Sequence, residues 1–208
     1  MYLPKHFSED RTDVLAAFVR AHPLGMLVTL DGGRPTIDLA PMLMELEPVV
    51  RLRGHVARAN AITKRVADGE EVLVVFRGAD QYITPSWYAA KQIDGKVVPT
   101  WNYSLVQVRG RIRWFETPER LHAIVEALTR THESPRAAPW SVDDAPADYV
   151  ASMLRAIVGF EIEVESMTGK FKASQNRNEA DRRGVAAGLA ADGVPAGTAA
   201  EIVRDPRP

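Results

Sequence analysis

The sequence predicts a mainly β fold with peripheral helices (α+β), built around an antiparallel β-barrel. About six strand-like segments follow one another with short connections, which is typical of barrels rather than of doubly wound sheets. Two of them, 103–115 and 160–166, alternate apolar and polar residues along their length. Such alternation indicates strands with one buried and one solvated face.

Each predicted strand is bounded by turn residues. In chain order the strands are 26–30, 36–46, 50–56, 72–76, 103–115 and 160–166. The turn Asp31-Gly32-Gly33 joins the first two, and this chemistry favours a β-hairpin.

The predicted helices lie between and beyond the strands. They cover the residues from Ser8 or Asp10 to Pro23, a short piece near 58–68, and the segments 117–130 and 147–156. Thr117 and Pro118 are a typical start for the third of these helices. The intervening segment 133–147 is rich in Pro, Ser and Asp and is predicted to be a loop. We expect one domain over 1–190 and a weakly packed tail over 191–208, with two short helices around Gly193 and Pro195.

Composition excludes several classes of function. The net charge is −1, from 26 basic and 27 acidic residues, so overall charge does not attract the protein to nucleic acid or an anionic membrane. The absence of cysteine excludes disulfides and thiolate chemistry. The N-terminus lacks the apolar segment of a signal peptide, and we expect a cytoplasmic protein. His122 and His132 belong to no metal-binding motif, so no metal is expected.

Four short blocks combine polar and aromatic residues at predicted strand edges. They are GHVARAN at 54–60, YITPSWY at 82–88, VPTWNY at 98–103 and GKFKASQNR at 169–177. Guanidinium groups and free helix amides suit a phosphate, and aromatic rings suit a flat ligand. The blocks therefore favour a planar ligand that carries a phosphate. The alternatives are ordinary polar caps, a solvated basic loop, and aromatic residues buried in a core or a dimer interface.

Taken together with MYLPKHF at 1–7, His132-Glu133 and VGFEIEVE at 158–165, these blocks resemble the PaiB family of FMN-binding proteins, whose usual label is negative transcriptional regulator. The resemblance spans roughly residues 1–190. The chain departs from the family pattern in two places. Ala61-Ile62-Thr63 stands where the family has Pro and often a nearby Trp, and Gly78-Ala79 stands where it favours Gly-Pro.

The resemblance implies a split β-barrel of the pyridoxine-phosphate-oxidase type. It also implies a homodimer that holds one FMN in each of two clefts at the subunit interface. The phosphate ligands it implies are Arg58 and Asn60, with His55 close by. The residues implied to approach the flavin ring and the ribityl chain are Ser86, Trp87, Lys91, Thr100, Trp101, Asn102, Lys172, Ser174 and Gln175.

Two functions remain open from the sequence. One is the regulatory role of the family label, although no basic recognition helix is evident and the balanced charge predicts weak DNA binding. The other is a flavin-dependent oxidoreductase that takes electrons from NADH or NADPH, in which no residue stands out as the catalytic acid or base. A third alternative is another planar ligand such as haem, with His55 or His22 as the axial ligand.

Overall fold

The structure is a computed structural model and describes residues 1–204. Its described residues contain seven β-strands and six α-helices. The strands are β1 Ser8–Glu9, β2 Leu24–Asp31, β3 Arg34–Glu45, β4 Arg51–Ala57, β5 Glu71–Ile83, β6 Thr100–Phe115 and β7 Ile157–Lys172. The helices are α1 Thr12–Ala21, α2 Ile62–Arg65, α3 Pro118–Glu133, α4 Ala147–Arg155, α5 Glu179–Ala191 and α6 Ala196–Val203. None of the helices described is both long and apolar enough to cross a membrane.

The strands form one sheet in the order β1-β7-β4-β3-β2-β5-β6, and β6 also pairs with β7. The six strands β2 to β7 therefore form a closed ring. The pairings of β7 with β1 and β4, of β3 with β2 and β4, and of β2 with β5 are all antiparallel. Asp31 pairs with Arg34 across the predicted hairpin turn. Between them, Gly32 and Gly33 have φ angles of 55° and 81°, and positive φ at both central residues is typical of two-residue hairpin turns. The predicted antiparallel barrel with peripheral helices is confirmed.

The chain divides into two compact units. The first unit comprises Met1–Phe18, Arg77–Val106 and the chain from Thr168 onward; the second comprises Val19–Phe76 and Gln107–Met167. In the second unit, α3 and α4 supply four apolar residues that pack with Phe115 of β6: Leu121, Ile124, Leu128 and Leu154. In the first unit, α5 and α6 pack on the end of β5 and the segment after it, through Ile83, Tyr88, Val185, Leu189 and Ile202.

Several predicted boundaries were wrong. The helix expected near 58–68 is one turn, because Val66 adopts an extended conformation directly after Arg65. The strands β5, β6 and β7 are longer than predicted, so the blocks YITPSWY, VPTWNY and GKFKASQNR each begin within or beside a strand. Within the predicted tail 191–208, Ile202 of α6 is 2% exposed. Residues 205–208 of the predicted tail lie outside the described residues.

Candidate functional site

The twelve predicted flavin-binding residues fall into two sets, one in each unit. His55, Arg58 and Asn60 belong to the second unit. The other nine, Ser86, Trp87, Lys91, Thr100, Trp101, Asn102, Lys172, Ser174 and Gln175, belong to the first unit. Each set is described within its own unit.

Asn60 organises the passage from β4 to α2. Its side-chain oxygen accepts from the N–H of Ile62 at 2.9 Å, and its amide group donates to Asp38 at 2.9 Å. Arg65 donates to the other oxygen of Asp38 at 2.7 Å and to the hydroxyl of Thr29 at 3.2 Å. The Nε of Arg65 is buried without a hydrogen-bond partner among the described residues. Asn60 is thus one member of a polar network that the sequence did not reveal.

Arg58 is engaged by backbone carbonyls at the end of α4. Its Nε donates to the carbonyl of Arg155 at 2.7 Å, and a terminal nitrogen donates to that of Ile157 at 3.1 Å. The other terminal nitrogen pairs with Glu116 at 2.6 Å. Basic side chains commonly satisfy the free carbonyls of a helix C-terminus in this way. A phosphate ligand would compete with these three partners for the guanidinium.

His55 lies on β4, where it pairs with Gly159 of β7. Its Nδ1 is buried and has no hydrogen-bond partner among the described residues. Burial lowers the pKa of His55 below its usual value, because the protonated ring would lose its hydration. The side chain is therefore kept neutral near pH 7.

Asn102 and Ser174 form a buried polar pair in the first unit. The amide of Asn102 donates to the Ser174 hydroxyl at 2.9 Å, and both residues are less than 5% exposed. Ser174, the second residue after β7, adopts a left-handed backbone conformation with φ of 62°. Gln175 supports the same turn, since its side chain accepts from Ala173 N–H and donates to the Phe171 carbonyl. These contacts fix the path of the chain beyond β7.

Lys172 lies at the end of β7 and reaches across to the start of β6. Its ammonium group donates to the hydroxyl of Thr100 and to the carbonyl of Trp101, the latter at 2.8 Å. Its pKa is lowered by burial and then by the positive charges of Lys170 and Arg177. The Trp101 ring is 53% exposed and meets the ring of Tyr82 edge to face. The structure thus brings together Lys172, Thr100 and an exposed aromatic surface.

Trp87 has a structural role. A Cβ atom at Gly188 of α5 would lie 2.3 Å from the Trp87 ring, and one at Gly184 would lie 1.9 Å from the Trp87 carbonyl. The indole therefore packs directly on the glycine face of α5. Beside it, Ser86 accepts a hydrogen bond from exposed Lys91 at 3.1 Å. This agrees with the alternative that some of the aromatic residues belong to the core.

Tyr88 and Arg177 are two residues of the same blocks that the sequence-based site omitted. Tyr88 is 2% exposed, and its hydroxyl has no hydrogen-bond partner of ordinary geometry among the described residues. Arg177 lies over its ring, 4.5 Å from the centroid. Both residues end blocks that the sequence analysis singled out, Tyr88 in YITPSWY and Arg177 in GKFKASQNR. A tyrosine after a proline turn, however, cannot be distinguished from a core residue by sequence.

An exposed apolar surface covers the outer face of the β2–β3 hairpin in the second unit. Four cross-strand pairs form it: Leu24 with Pro41, Met26 with Leu39, Val28 with Ile37, and Leu30 with Pro35. Leu24, Leu30, Ile37 and Leu39 are each 56–60% exposed. Contiguous apolar surfaces of this kind are uncommon on monomers and mark interaction sites. We call this surface the hairpin face.

The fold is that of flavin-binding split-barrel proteins. Its solved relatives in fold include the flavocytochrome Anf3 from Azotobacter vinelandii, with a TM-score of 0.58, 14% identity, and coverage of 88% of this chain and 78% of that one. The FAD and heme binding protein from Mycobacterium smegmatis is similar at a TM-score of 0.59, with 12% identity and coverage of 79% and 73%. At these identities the likeness concerns the fold alone.

Residues 1–166 match the family described as "Putative FMN-binding domain". The chain is 33% identical to the protease synthase and sporulation protein PAI 2 of Bacillus subtilis, over 87% of this chain and 85% of that protein. It is 34% identical to an uncharacterized protein of Emericella nidulans, over 99% of this chain and 97% of the relative. The chain belongs to this FMN-binding family, of the PaiB type, which confirms the family resemblance and supports FMN as the cofactor.

The side chains present fit the chemistry of FMN. A flavin nucleotide has a phosphate, a hydroxylated chain and a flat ring with a polar edge. The first unit offers the Lys172 ammonium group, the buried Tyr88 hydroxyl, which makes no hydrogen bond of ordinary geometry within the described chain, and the exposed Trp101 ring. These supply a cation, a donor and an aromatic surface, and the individual flavin contacts remain predictions.

Proposed function

We propose that the protein is an FMN-binding homodimer that uses the flavin for redox chemistry. When bound, FMN supplies reversible transfer of electrons, and the protein supplies orientation and exclusion of water. The hairpin face is the observation that supports a dimer. It has no charged residues, and its apolar side chains form cross-strand pairs along β2 and β3. A second copy of the same chain is its best partner, because a twofold axis lets one apolar surface cover itself.

The chain's own residues would serve the flavin in three ways. Lys172 carries a positive charge that two hydrogen bonds hold at the start of β6. The exposed Trp101 ring can cover an apolar ring, and its packing on Tyr82 fixes its plane. Lys91, held by Ser86, is a second exposed cation in this unit. None of these residues needs to transfer a proton.

The C-terminal helices favour the redox role over the regulatory role. α6 has the sequence AGTAAEIV, which contains no lysine or arginine, and its Ile202 is buried against the first unit. A recognition helix needs an exposed basic and polar surface that can enter the major groove. The composition and burial of α6 therefore support packing rather than DNA reading.

The experiment is a titration of purified, flavin-free protein with FMN, followed by flavin fluorescence and by light scattering on a sizing column. We expect saturable binding of one FMN per chain by a dimer. Anaerobic addition of NADH or NADPH should then bleach the flavin absorbance. Protein that takes up no FMN would overturn the proposal.

Other outcomes would identify the alternatives. If the protein binds FMN but neither NADH nor NADPH bleaches it, the proposed transfer of electrons from these cofactors to the flavin is refuted. Binding to a defined DNA site that resists salt would establish the regulator. A Soret band in the purified protein would show haem, for which the sequence offered His55 or His22.

A further inference from the structure

The segment from Lys170 to Arg177 places three cations close together in the first unit. Lys170 and Lys172 lie at the end of β7, and Arg177 follows the turn at Ser174. The charges of Lys170 and Arg177 both act on Lys172 and help to lower its pKa, after the larger effect of burial. Contacts with β6 connect the three groups: Lys172 and Lys170 contact Trp101 and Tyr103, and Asn102 between them donates to Ser174, three residues before Arg177.

The contacts of these cations are with neutral groups. Lys170 is 8% exposed, donates to the Tyr2 carbonyl at 3.0 Å and lies 5.2 Å from the centroid of the Tyr103 ring. Lys172 donates to Thr100 and to the Trp101 carbonyl. Within residues 1–204, no carboxylate forms an ion pair with any of the three cations.

One buried acid of this unit, Asp181, already has hydrogen-bond partners. Asp181 is 2% exposed, accepts from the Ala90 N–H at 2.9 Å and is joined by the side chain of Asn178 at 3.3 Å. Its charge acts on Tyr88 but is not paired with Arg177. Lys170 is buried, whereas Lys172 and Arg177 are half-buried, and like charges at this position repel one another. An anion there would therefore be stabilised.

A second observation indicates a ligand at the same place. The Tyr88 hydroxyl is buried, Arg177 lies 4.5 Å from the centroid of its ring, and the hydroxyl has no hydrogen-bond partner of ordinary geometry among the described residues. Leaving a buried donor unsatisfied is costly, and native proteins rarely do so without a functional reason. An anion held by Arg177 would supply the missing acceptor.

We propose that Lys172 and Arg177 form a binding site for the phosphate group of a phosphorylated ligand, with Lys170 buried behind them. A phosphate carries up to two negative charges and several acceptor oxygens, which suits more than one cation and nearby hydroxyls. The site lies beyond residues 1–166 that match the family. It differs from the phosphate site predicted at Arg58, whose guanidinium is engaged elsewhere.

The phosphate could belong to FMN or to a second ligand such as a nicotinamide dinucleotide. Inorganic phosphate is the probe, titrated against chloride at constant ionic strength and followed by calorimetry. It is added first to flavin-free protein and then to protein saturated with FMN. Binding that FMN abolishes assigns the site to the flavin phosphate, and binding that persists assigns it to a second ligand.

Variants locate the site. Lys172→Gln and Arg177→Gln should each weaken phosphate binding by about tenfold or more, while Lys172→Arg should retain most of it. Arg183→Gln is the matched control, because Arg183 lies in the same unit, is 73% exposed and forms a surface ion pair with Glu179. Circular dichroism checks that each variant is folded.

Two results would overturn the inference. One is flavin-free protein that binds phosphate no better than chloride. The other is equal loss of binding in Arg177→Gln and Arg183→Gln. Because the probe is inorganic phosphate, a protein that binds phosphate but no FMN would refute the proposed function and leave this inference standing.

Discussion

The carboxylate of Glu201 on α6 accepts a hydrogen bond from the backbone N–H of Ala79 on β5 at 2.8 Å. Gly78 leaves the space for this contact, since a Cβ atom there would lie 2.1 Å from the same carboxylate oxygen. The proline that the family pattern favours at position 79 has no N–H and could not donate. The departure at Ala79 therefore makes this attachment of α6 possible.

Replacement of Glu201 should loosen the C-terminal helix. We expect Glu201→Ala to lower the free energy of unfolding by about 1–2 kcal/mol, because it leaves the Ala79 N–H without its charged acceptor. The measurement is urea denaturation followed by circular dichroism. Glu179→Ala on α5 is the control, since Glu179 is highly exposed and makes only a surface ion pair. Equal destabilisation by both variants would contradict a specific role for Glu201.

Glycine-to-alanine changes on the C-terminal helices should have opposite effects. Gly188→Ala places a methyl group 2.3 Å from the Trp87 ring, and we expect a loss of about 1–3 kcal/mol from overpacking. A Cβ atom added at Gly197 of α6 would meet no atom within 4 Å, so Gly197→Ala should preserve stability or raise it by up to about 1 kcal/mol. Thermal denaturation of the two variants tests this. A stabilised Gly188→Ala protein would show that Trp87 does not pack there.

Periodicity predicted the long strands well because alternation is a local signal. Gln107, Arg109, Arg111 and Arg113 are all more exposed than their alternating apolar neighbours on β6, Val106, Val108 and Ile112, as the sequence indicates. The helix predicted near 58–68 is shorter in the structure, because Asn60 before it bonds to Asp38 on β3 and Val66 after it is extended. A partner that is distant in sequence leaves no trace in local composition.

Contacts between residues that are distant in sequence also determine the candidate site. The structure brings Thr100, Lys172, Asn102 and Ser174 into one neighbourhood, although β6 and β7 are far apart in sequence. Arg58 has the composition of a phosphate ligand, yet its carbonyl acceptors lie 97 and 99 residues further along the chain. Residue type indicates what a side chain can bind, and only the fold shows which partners reach it first.

Arg58→Ala distinguishes a structural role from a ligand role. The present contacts predict a loss of about 1–2 kcal/mol in unfolding free energy, because the carbonyls of Arg155 and Ile157 lose their donor. FMN affinity should then change by less than about threefold. A loss of FMN affinity of roughly 1.5–3 kcal/mol with unchanged stability would instead establish the phosphate contact predicted from the sequence.

The neutral state of His55 predicts a pH-dependent stability. Because burial lowers the pKa of His55 in the folded protein, the unfolded chain binds a proton first as the pH falls below its ordinary value of 6.5. Stability should therefore decrease from about pH 6.5 toward the lower folded pKa and be unaffected by this group above pH 7. The lowered pKa values of Glu9 and Glu45 affect stability as the pH falls through their ordinary value of 4.5, so their contribution is small above pH 5.

Urea denaturation between pH 5 and pH 8 measures that dependence. His55→Gln should flatten the decrease below pH 6.5, because glutamine does not titrate. His132→Gln, on the exposed end of α3, is the control and should leave the profile of the parent protein. If the stability of the parent protein is constant over this range, folding does not lower the pKa of His55.

The hairpin face indicates where the dimer that we propose can be broken. Leu39 is 60% exposed in the single chain and is flanked across the hairpin by Met26, so Leu39→Glu should fold normally but fail to pair. A twofold interface would bury the new carboxylate twice, which we expect to weaken association by more than about 3 kcal/mol, or over a hundredfold.

Light scattering on a sizing column measures the mass of each variant. Val98→Glu, in the first unit and 64% exposed, is the control and should remain dimeric. If Leu39→Glu stays dimeric while Val98→Glu becomes monomeric, the subunits meet through the first unit, and the hairpin face requires a different partner.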